Sequence, residues 1–358
     1  MFSQRVADLL AGKTPDRLPW VPELNEGFCH KVLGLGDKKH LPYIESADRV
    51  AKLIGADQLH RVLSVRTEHN RVTREQDPIT KRVTYRTPKG ELHHWQEPSP
   101  ESGTTFTREH LVKGPQDFAA YQALVEDEHY VPQYEHAAAE IAVTGMPTID
   151  VPATPLMHIL MWVMDVQPTL MAMIDFEDQM AELMAAVHRK NLEYYRLAAK
   201  GPGLMLRPME DTSSMLTGPS MYAKHCVGML NDYARIAHEA GKLFVPHMCG
   251  HLDGMLDVLK EVDLDGIEAV TTPPLGDANL PRIREKLGDI WILGGIDPSR
   301  YAATSKDEMI AHAKLTLEQM RGDRKFMLGS EEIPLAARME NVQAVADLIK
   351  GTANGFYA

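Results

Sequence analysis

One residue separates His247 from Cys249 in the segment His247-Met-Cys249-Gly-His251. Imidazole nitrogen and thiolate sulfur are both good zinc ligands. A spacing of one can turn both side chains toward one site where a strand gives way to a loop. Two ligands do not make a site, so a third must come from elsewhere in the chain. Glu331 and Glu332 are the best candidates, and Glu210 is a further one. The competing structural reading makes Cys249 a small buried hydrophobe and His247 a hydrogen-bonded core residue. The other thiols, Cys29 beside His30 and Cys226 beside His225, read as structural. Adjacent residues on a helix do not share a face. His93 and His94 fall in an expected hairpin, where neighbours point to opposite faces. They read as surface or packing residues. His158 follows Pro155 and either lines a pocket or packs within it.

The elements that must position these groups alternate. Strands are expected at 18–24, near 58, and at 147–151, 204–208, 243–246, 266–270, 290–294 and 325–328. Helices are expected at 3–11, 47–54, 114–123, 134–142, 175–199, 219–240, 252–262, 280–287, 306–320 and 339–350. Pro219 near one helix start and Gly241 past its end follow the usual terminal asymmetry. Strand and helix in alternation mean parallel βαβ units. Eight such strands predict an α/β fold of the (β/α)8 TIM-barrel class. An open doubly wound sheet is the alternative, but no GxGxxG follows the first strand. Residues 84–86 and 92–95 flank Thr87-Pro-Lys-Gly90 and predict a hairpin, part of an antiparallel insertion at about 71–96.

In such a barrel the active site lies at the C-terminal ends of the strands. That rule selects Glu23, Asn25, Asp150, Glu210, Asp211, His247, Cys249, His251, Glu268, Asp297, Ser330, Glu331 and Glu332. Helix N-caps account for some of these acids equally well.

Composition narrows the partners. Lys plus Arg is 38 and Asp plus Glu is 50, a net charge of −12. That balance argues against nucleic acid, which needs a basic footprint. Three cysteines with no CxxC exclude a disulfide framework and a Cys-rich metal cluster. The most apolar run, 156–173, is broken by Asp165, Gln167 and Pro168, so no membrane span is expected. The first residues lack a basic segment followed by an apolar core, so no signal peptide is expected and the cytoplasm is the default address. The 20 methionines read mainly as flexible core filling.

Several segments carry a family resemblance. Thr14-Pro-Asp-Arg-Leu-Pro-Trp-Val-Pro22 is similar to the opening strand of the uroporphyrinogen decarboxylase superfamily. Glu210-Asp-Thr-Ser-Ser with Gly218-Pro-Ser-Met-Tyr222 is similar to its mid-chain loop. Leu293-Gly-Gly-Ile-Asp297, and Leu328-Gly-Ser with Ile333-Pro334 and Glu340-Asn-Val342, are similar to its closing segments. The resemblance covers most of the chain and implies the same barrel. Decarboxylases of that family hold a porphyrinogen through an arginine-rich segment after the first strand. Here the place reads Glu23-Leu-Asn-Glu-Gly-Phe28, without arginine, and glutamates would repel acidic pyrrole side chains. His247-x-Cys249 resembles instead the zinc motif of the corrinoid-dependent methyltransferases, where a later cysteine completes the set. In this chain Glu331 takes that cysteine's place. A carboxylate can bind zinc and makes the site more oxygen-friendly.

The resemblance therefore implies Zn2+ held by His247, Cys249 and Glu331. It implies a methyl group moved from a small methoxylated, aromatic substrate to the cob(I)alamin of a separate corrinoid protein, because no DxHxxG-like cobalt-ligating segment occurs here. Glu210, Asp297 or Glu23 would manage the proton. Trp20, Asn25, Phe28, Met157, His158 and Trp162, with Met161, would bind the substrate. Open alternatives are metal-free decarboxylation, methyl transfer to a thiol of the coenzyme M type or to tetrahydrofolate, and a non-catalytic binding protein on the same scaffold.

Overall fold

The segment Trp291–Ile296 is buried at every position, as a parallel strand covered on both faces must be. Its neighbours follow the same logic. The computed structural model describes residues 4–35, 41–99, 105–144 and 147–357. Residue 3, the expected start of the first helix, lies outside them; that helix runs Gln4–Leu10. In chain order the strands are β1 (Trp20–Leu24), β2 (His60–Val62), β3 (Val65–His69), β4 (Thr73–Gln76), β5 (Val83–Thr87), β6 (Gly90–Pro98), β7 (Thr105–Glu109), β8 (Glu128–Pro132), β9 (Pro147–Val151), β10 (Met205–Pro208), β11 (Leu243–Phe244), β12 (Gly266–Val270), β13 (Trp291–Ile296) and β14 (Phe326–Ile333).

Two four-stranded parallel sheets carry the α/β fold, in the orders β2-β9-β10-β11 and β12-β13-β14-β1. Backbone hydrogen bonds run between them at both margins. Met248 N donates to Glu268 O at 2.8 Å, and Glu268 N to Pro246 O at 2.9 Å. On the far side Asp57 N donates to Trp20 O at 2.6 Å. The helices fall between the strands as the alternation requires. One of them, Lys306–Gln319, starts at a capping box of Ser305 and Glu308. The antiparallel elaboration is larger than expected. It comprises a β3–β8 pair and a β4-β5-β6-β7 sheet, reaching to Glu109 because β7 pairs along the outer half of β6. Among the described residues no helix is long and apolar enough to cross a membrane.

Alternation along the strands divides the core in two. Val21, Met205, Val245, Trp291, Leu293 and Met327 form one cluster, joined by Val6 and Leu9 of the first helix. Their chain neighbours Trp20, Leu206, Phe244, Ile292 and Leu328 belong to the other, larger cluster packed with the helices. Successive strand side chains point to opposite faces, so the small cluster marks the side that the sheets enclose. Glu23, Arg207 and His247 stand two residues beyond Val21, Met205 and Val245, and share that side.

Two of the strands that bring carboxylates toward His247 are irregular. β12 inserts an extra residue between the pairs Ile267–Ile292 and Val270–Gly294, and Ala269 takes φ 60° there. β14 inserts one between Ser330, paired with Pro22, and Ile333, paired with Leu24. Such bulges re-aim side chains near functional sites. The first has a steric requirement. Gly294 sits at φ 150°, and a Cβ there would lie 2.4 Å from Val270 O. Gly294→Ala is expected to destabilise the fold by about 3 kcal/mol, combining backbone strain with overpacking. Urea denaturation measures this; an unchanged midpoint would show that the bulge can relax.

Candidate metal centre

His247 is the hinge of the site. It is 3% exposed and held by backbone contacts to both neighbouring strands. Its Nδ1 lies 2.7 Å from Glu268 Oε2, and its Nε2 lies 3.4 Å from Glu331 Oε1. Ligand atoms of His247, Cys249 and Glu331 all lie within 4.8 Å of one another. These three are the residues expected from the sequence. Nitrogen, sulfur and carboxylate oxygen form a donor set that fits zinc. A carboxylate on the far ring nitrogen is the usual support of a metal-binding histidine.

The charges around the set are mostly negative. Asp211, held at φ 42° with its amide donating to His247 O at 2.9 Å, accepts a hydrogen bond from Cys249 Sγ. Burial pushes the Cys249 thiol strongly upward, and Glu331 and Asp211 add to it. Burial acts to lower the His247 pKa, but the Glu268 and Glu331 carboxylates together outweigh it and the net direction is upward. Burial opposes ionisation of Glu268, yet Arg207 and His247 hold it well below the usual carboxylate range. A thiol among carboxylates ionises readily only beside a cation.

Arg207 was not among the expected site residues. It is 2% exposed and lies beneath His247, with Nε 2.8 Å from Glu268 and Nη1 2.8 Å from Asp150. Glu23 stands 3.6 Å from its Nη2 and also pairs with Arg61. The signal was present: an arginine inside Met205–Pro208, in phase with Met205. Asp211 was visible only as a neighbour of Glu210.

The remaining expected residues scatter. Glu332 turns away from Glu331, accepting from Asn25 Nδ2 at 2.9 Å and standing 3.8 Å from Arg61. It is therefore corrected as a third ligand, since neighbours on a strand diverge. Asn25 caps Glu26–Val32, accepting from Gly27 N and Phe28 N, which occupies the side chain expected to bind substrate. Trp20 and Phe28 are fully buried in the outer core. Trp20 has the opposite phase from Val21 and Glu23, so the expected ring slot is not assembled from these two. Met157 is also fully buried. His158 tilts against Trp162 with ring centroids 5.5 Å apart, and Trp162 is 40% exposed. Asp297 spends its oxygens on Leu275 N and Ser299 N. Cys29 and Cys226 are buried, as expected of structural thiols.

Glu210 lies outside the ligand group. It is fully buried and accepts from Thr154 N at 2.9 Å, Thr154 Oγ1 at 2.6 Å and Tyr222 OH at 3.1 Å. Burial raises its pKa from 4.5 to about 7, against those hydrogen bonds. The fold thus prefers the neutral acid. Its stabilisation is complete below the unfolded value and is lost as pH rises through about 7, an effect of about 3 kcal/mol over the window. Glu210→Gln should melt close to wild type at pH 5 and clearly above it at pH 8. A difference independent of pH would remove this assignment.

No protein-family model matches the sequence, and no curated protein matches it. Among solved structures, a methyltransferase from Methanosarcina mazei aligns over 100% of this chain and 100% of its own, with 13% identity and a TM-score of 0.64. A B12-independent methionine synthase from Shewanella sp. W3-18-1, in complex with selenomethionine, aligns over 94% of this chain and 98% of its own, with 10% identity and a TM-score of 0.49. The first likeness establishes a shared fold along the whole chain.

Proposed function

We propose that this chain is a zinc-dependent methyltransferase. It takes a methyl group from a small methoxylated, aromatic substrate and passes it to the cob(I)alamin of a separate corrinoid protein. The observation that carries the reading is the convergence of His247, Cys249 and Glu331, with Glu268 behind the imidazole. The fold shared with the Methanosarcina methyltransferase supports it. Zinc held by these three groups would supply Lewis acidity at the donor's oxygen.

The chain's own residues do the rest. The eight strands form a (β/α)8 barrel whose open end receives the corrinoid partner. Transfer would break the methyl–oxygen bond with its electron pair left on oxygen, the reduced corrinoid supplying the pair for the new bond to carbon. The departing alcohol or phenol needs one proton. Among the three carboxylates expected to manage it, Glu23 is the one grouped with His247 and Glu268, and it would do so while paired with Arg61 and near Arg207. Glu210 and Asp297 are committed to Thr154, Tyr222 and backbone amides. His158, Trp162 and Met161, in the segment that follows β9, would meet the aromatic ring.

Metal-free decarboxylation of a polyacid needs free arginines. Arg207 and Arg61 lie in the interior, but both are already paired with carboxylates. The deciding experiment incubates zinc-loaded protein with reduced cob(I)alamin and methoxy-aromatics, methylamines or methylthiols, following the corrin absorbance. Conversion with the methoxy-aromatics is the expected result. Absence of conversion with every donor would sink the reading.

A further inference from the structure

Arg207 has a geometry that a general structural role does not require. Its Nε and the His247 Nδ1 both reach the same oxygen, Glu268 Oε2, at 2.8 and 2.7 Å. Its Nη2 also comes within 2.9 Å of His247 Nδ1. A guanidinium has only donors, and a neutral imidazole carries one hydrogen on one of two nitrogens. If Nδ1 accepted from Arg207, its lone pair would face the Glu268 carboxylate oxygen at 2.7 Å, and the hydrogen would sit on Nε2. If Nδ1 donates to Glu268, the shorter contact becomes a charge-assisted bond and the Nε2 lone pair is free. Arg207 makes the second arrangement the stable one, because its Nε fixes the Glu268 oxygen at 2.8 Å, opposite Nδ1. The other end of the guanidinium is tied to Asp150, and the 2.9 Å approach of Nη2 to Nδ1 is the contact that the second arrangement gives up.

We propose that Arg207 is a positioning residue. Acting through Glu268, it holds His247 with the ring hydrogen on Nδ1 and the Nε2 lone pair aimed between Cys249 and Glu331. The inference rests on the zinc reading of those three residues and assigns a function to a side chain that touches none of the space they enclose. It also gives the β12 bulge a purpose. The extra residue between Ile267 and Val270 sets Glu268 where one oxygen can serve both partners.

Zinc affinity, read by chelator competition, tests the chain of contacts. Glu268→Gln and Arg207→Lys are each expected to weaken zinc binding about 10- to 100-fold. Lysine keeps the charge but cannot span Glu268 and Asp150 together. If Arg207 acts through Glu268, the double variant loses no more than Glu268→Gln alone. Full additivity, or wild-type affinity in both folded single variants, would overturn the proposal. Ring nitrogen shifts in histidine-labelled, metal-free protein give a second readout. Wild type should carry its ring hydrogen on Nδ1 at alkaline pH, and Glu268→Gln should shift the population toward Nε2. An Nε2 hydrogen in wild type would also overturn it. A wild-type protein that binds no zinc while showing the Nδ1 form would reject the zinc reading and leave the positioning intact.

Discussion

Replacing Cys249 with alanine is expected to reduce bound zinc from about one ion per chain, the stoichiometry of a single three-ligand site, to about a tenth of that or less. Methyl transfer should fall with it by about three orders of magnitude, because a Lewis acid is worth several kcal/mol and each 1.36 kcal/mol is tenfold. The reason lies in the surroundings of the thiol. Burial, Glu331 and Asp211 all push its ionisation upward, against a thiolate. A cation among these groups reverses that sign, and the thiolate then becomes the softest and tightest of the three donors. Cys226→Ala offers the control. That thiol is fully buried beside Thr154 Oγ1 at 3.4 Å. Its loss should cost about 1 kcal/mol of stability through a small cavity and leave the metal count unchanged. Full zinc occupancy in Cys249→Ala, measured by elemental analysis, would move the sulfur position to Asp211 or to an adventitious ligand.

The candidate ligands were legible in the sequence because they combine rare residue types with positions just past short apolar runs. His247 and Cys249 needed only the expectation that strand ends converge, Glu331 was favoured by the family resemblance, and the structure brings the three together. The strand at 266–270 and the helices at 280–287 and 339–350 coincide with their observed bounds, since caps and turns mark both ends. Trp20 and Phe28 do not join an aromatic slot, because residue type carries no strand phase. Trp20 is one residue out of register with Glu23's face, and an apolar ring in that phase belongs to the outer core. Phase alone would also have found Arg207, two residues past Met205. The bulges in β12 and β14 had no sequence signal, because an extra residue is defined only against its partner strand. The β14 bulge decides which of two adjacent carboxylates faces the site. The choice between Glu331 and Glu332 therefore stayed open until the pairing with β1 was known.

That choice leads to the second large effect. Glu331→Cys is expected to keep zinc bound and to shift the preference from oxygen-linked toward sulfur-linked methyl groups, by about 10- to 100-fold in the ratio of rates. A thiolate and a carboxylate carry the same formal charge, so the net charge on the site does not change. What changes is donation. Thiolate sulfur is softer and passes more electron density to the metal than a carboxylate does. A His/Cys/Glu set leaves the cation more electron-poor and better able to polarise an ether oxygen, whereas a His/Cys/Cys set suits a thiol or thioether. Sulfur is also shorter in reach than a glutamate oxygen. The longer zinc–sulfur bond, about 2.3 Å against about 2.1 Å for oxygen, recovers part of that difference. The bulge between Ser330 and Ile333 supplies backbone with freedom to recover more. Glu332→Cys should leave both metal and preference unchanged, because that side chain faces Asn25 and Arg61. Glu331→Ala should lose metal and activity together. If Glu331→Ala retains both, the third ligand is a different carboxylate. Asp211, already in contact with the Cys249 sulfur, is then the group that the geometry places next in line, and the oxygen-rich character of the site survives the change of ligand.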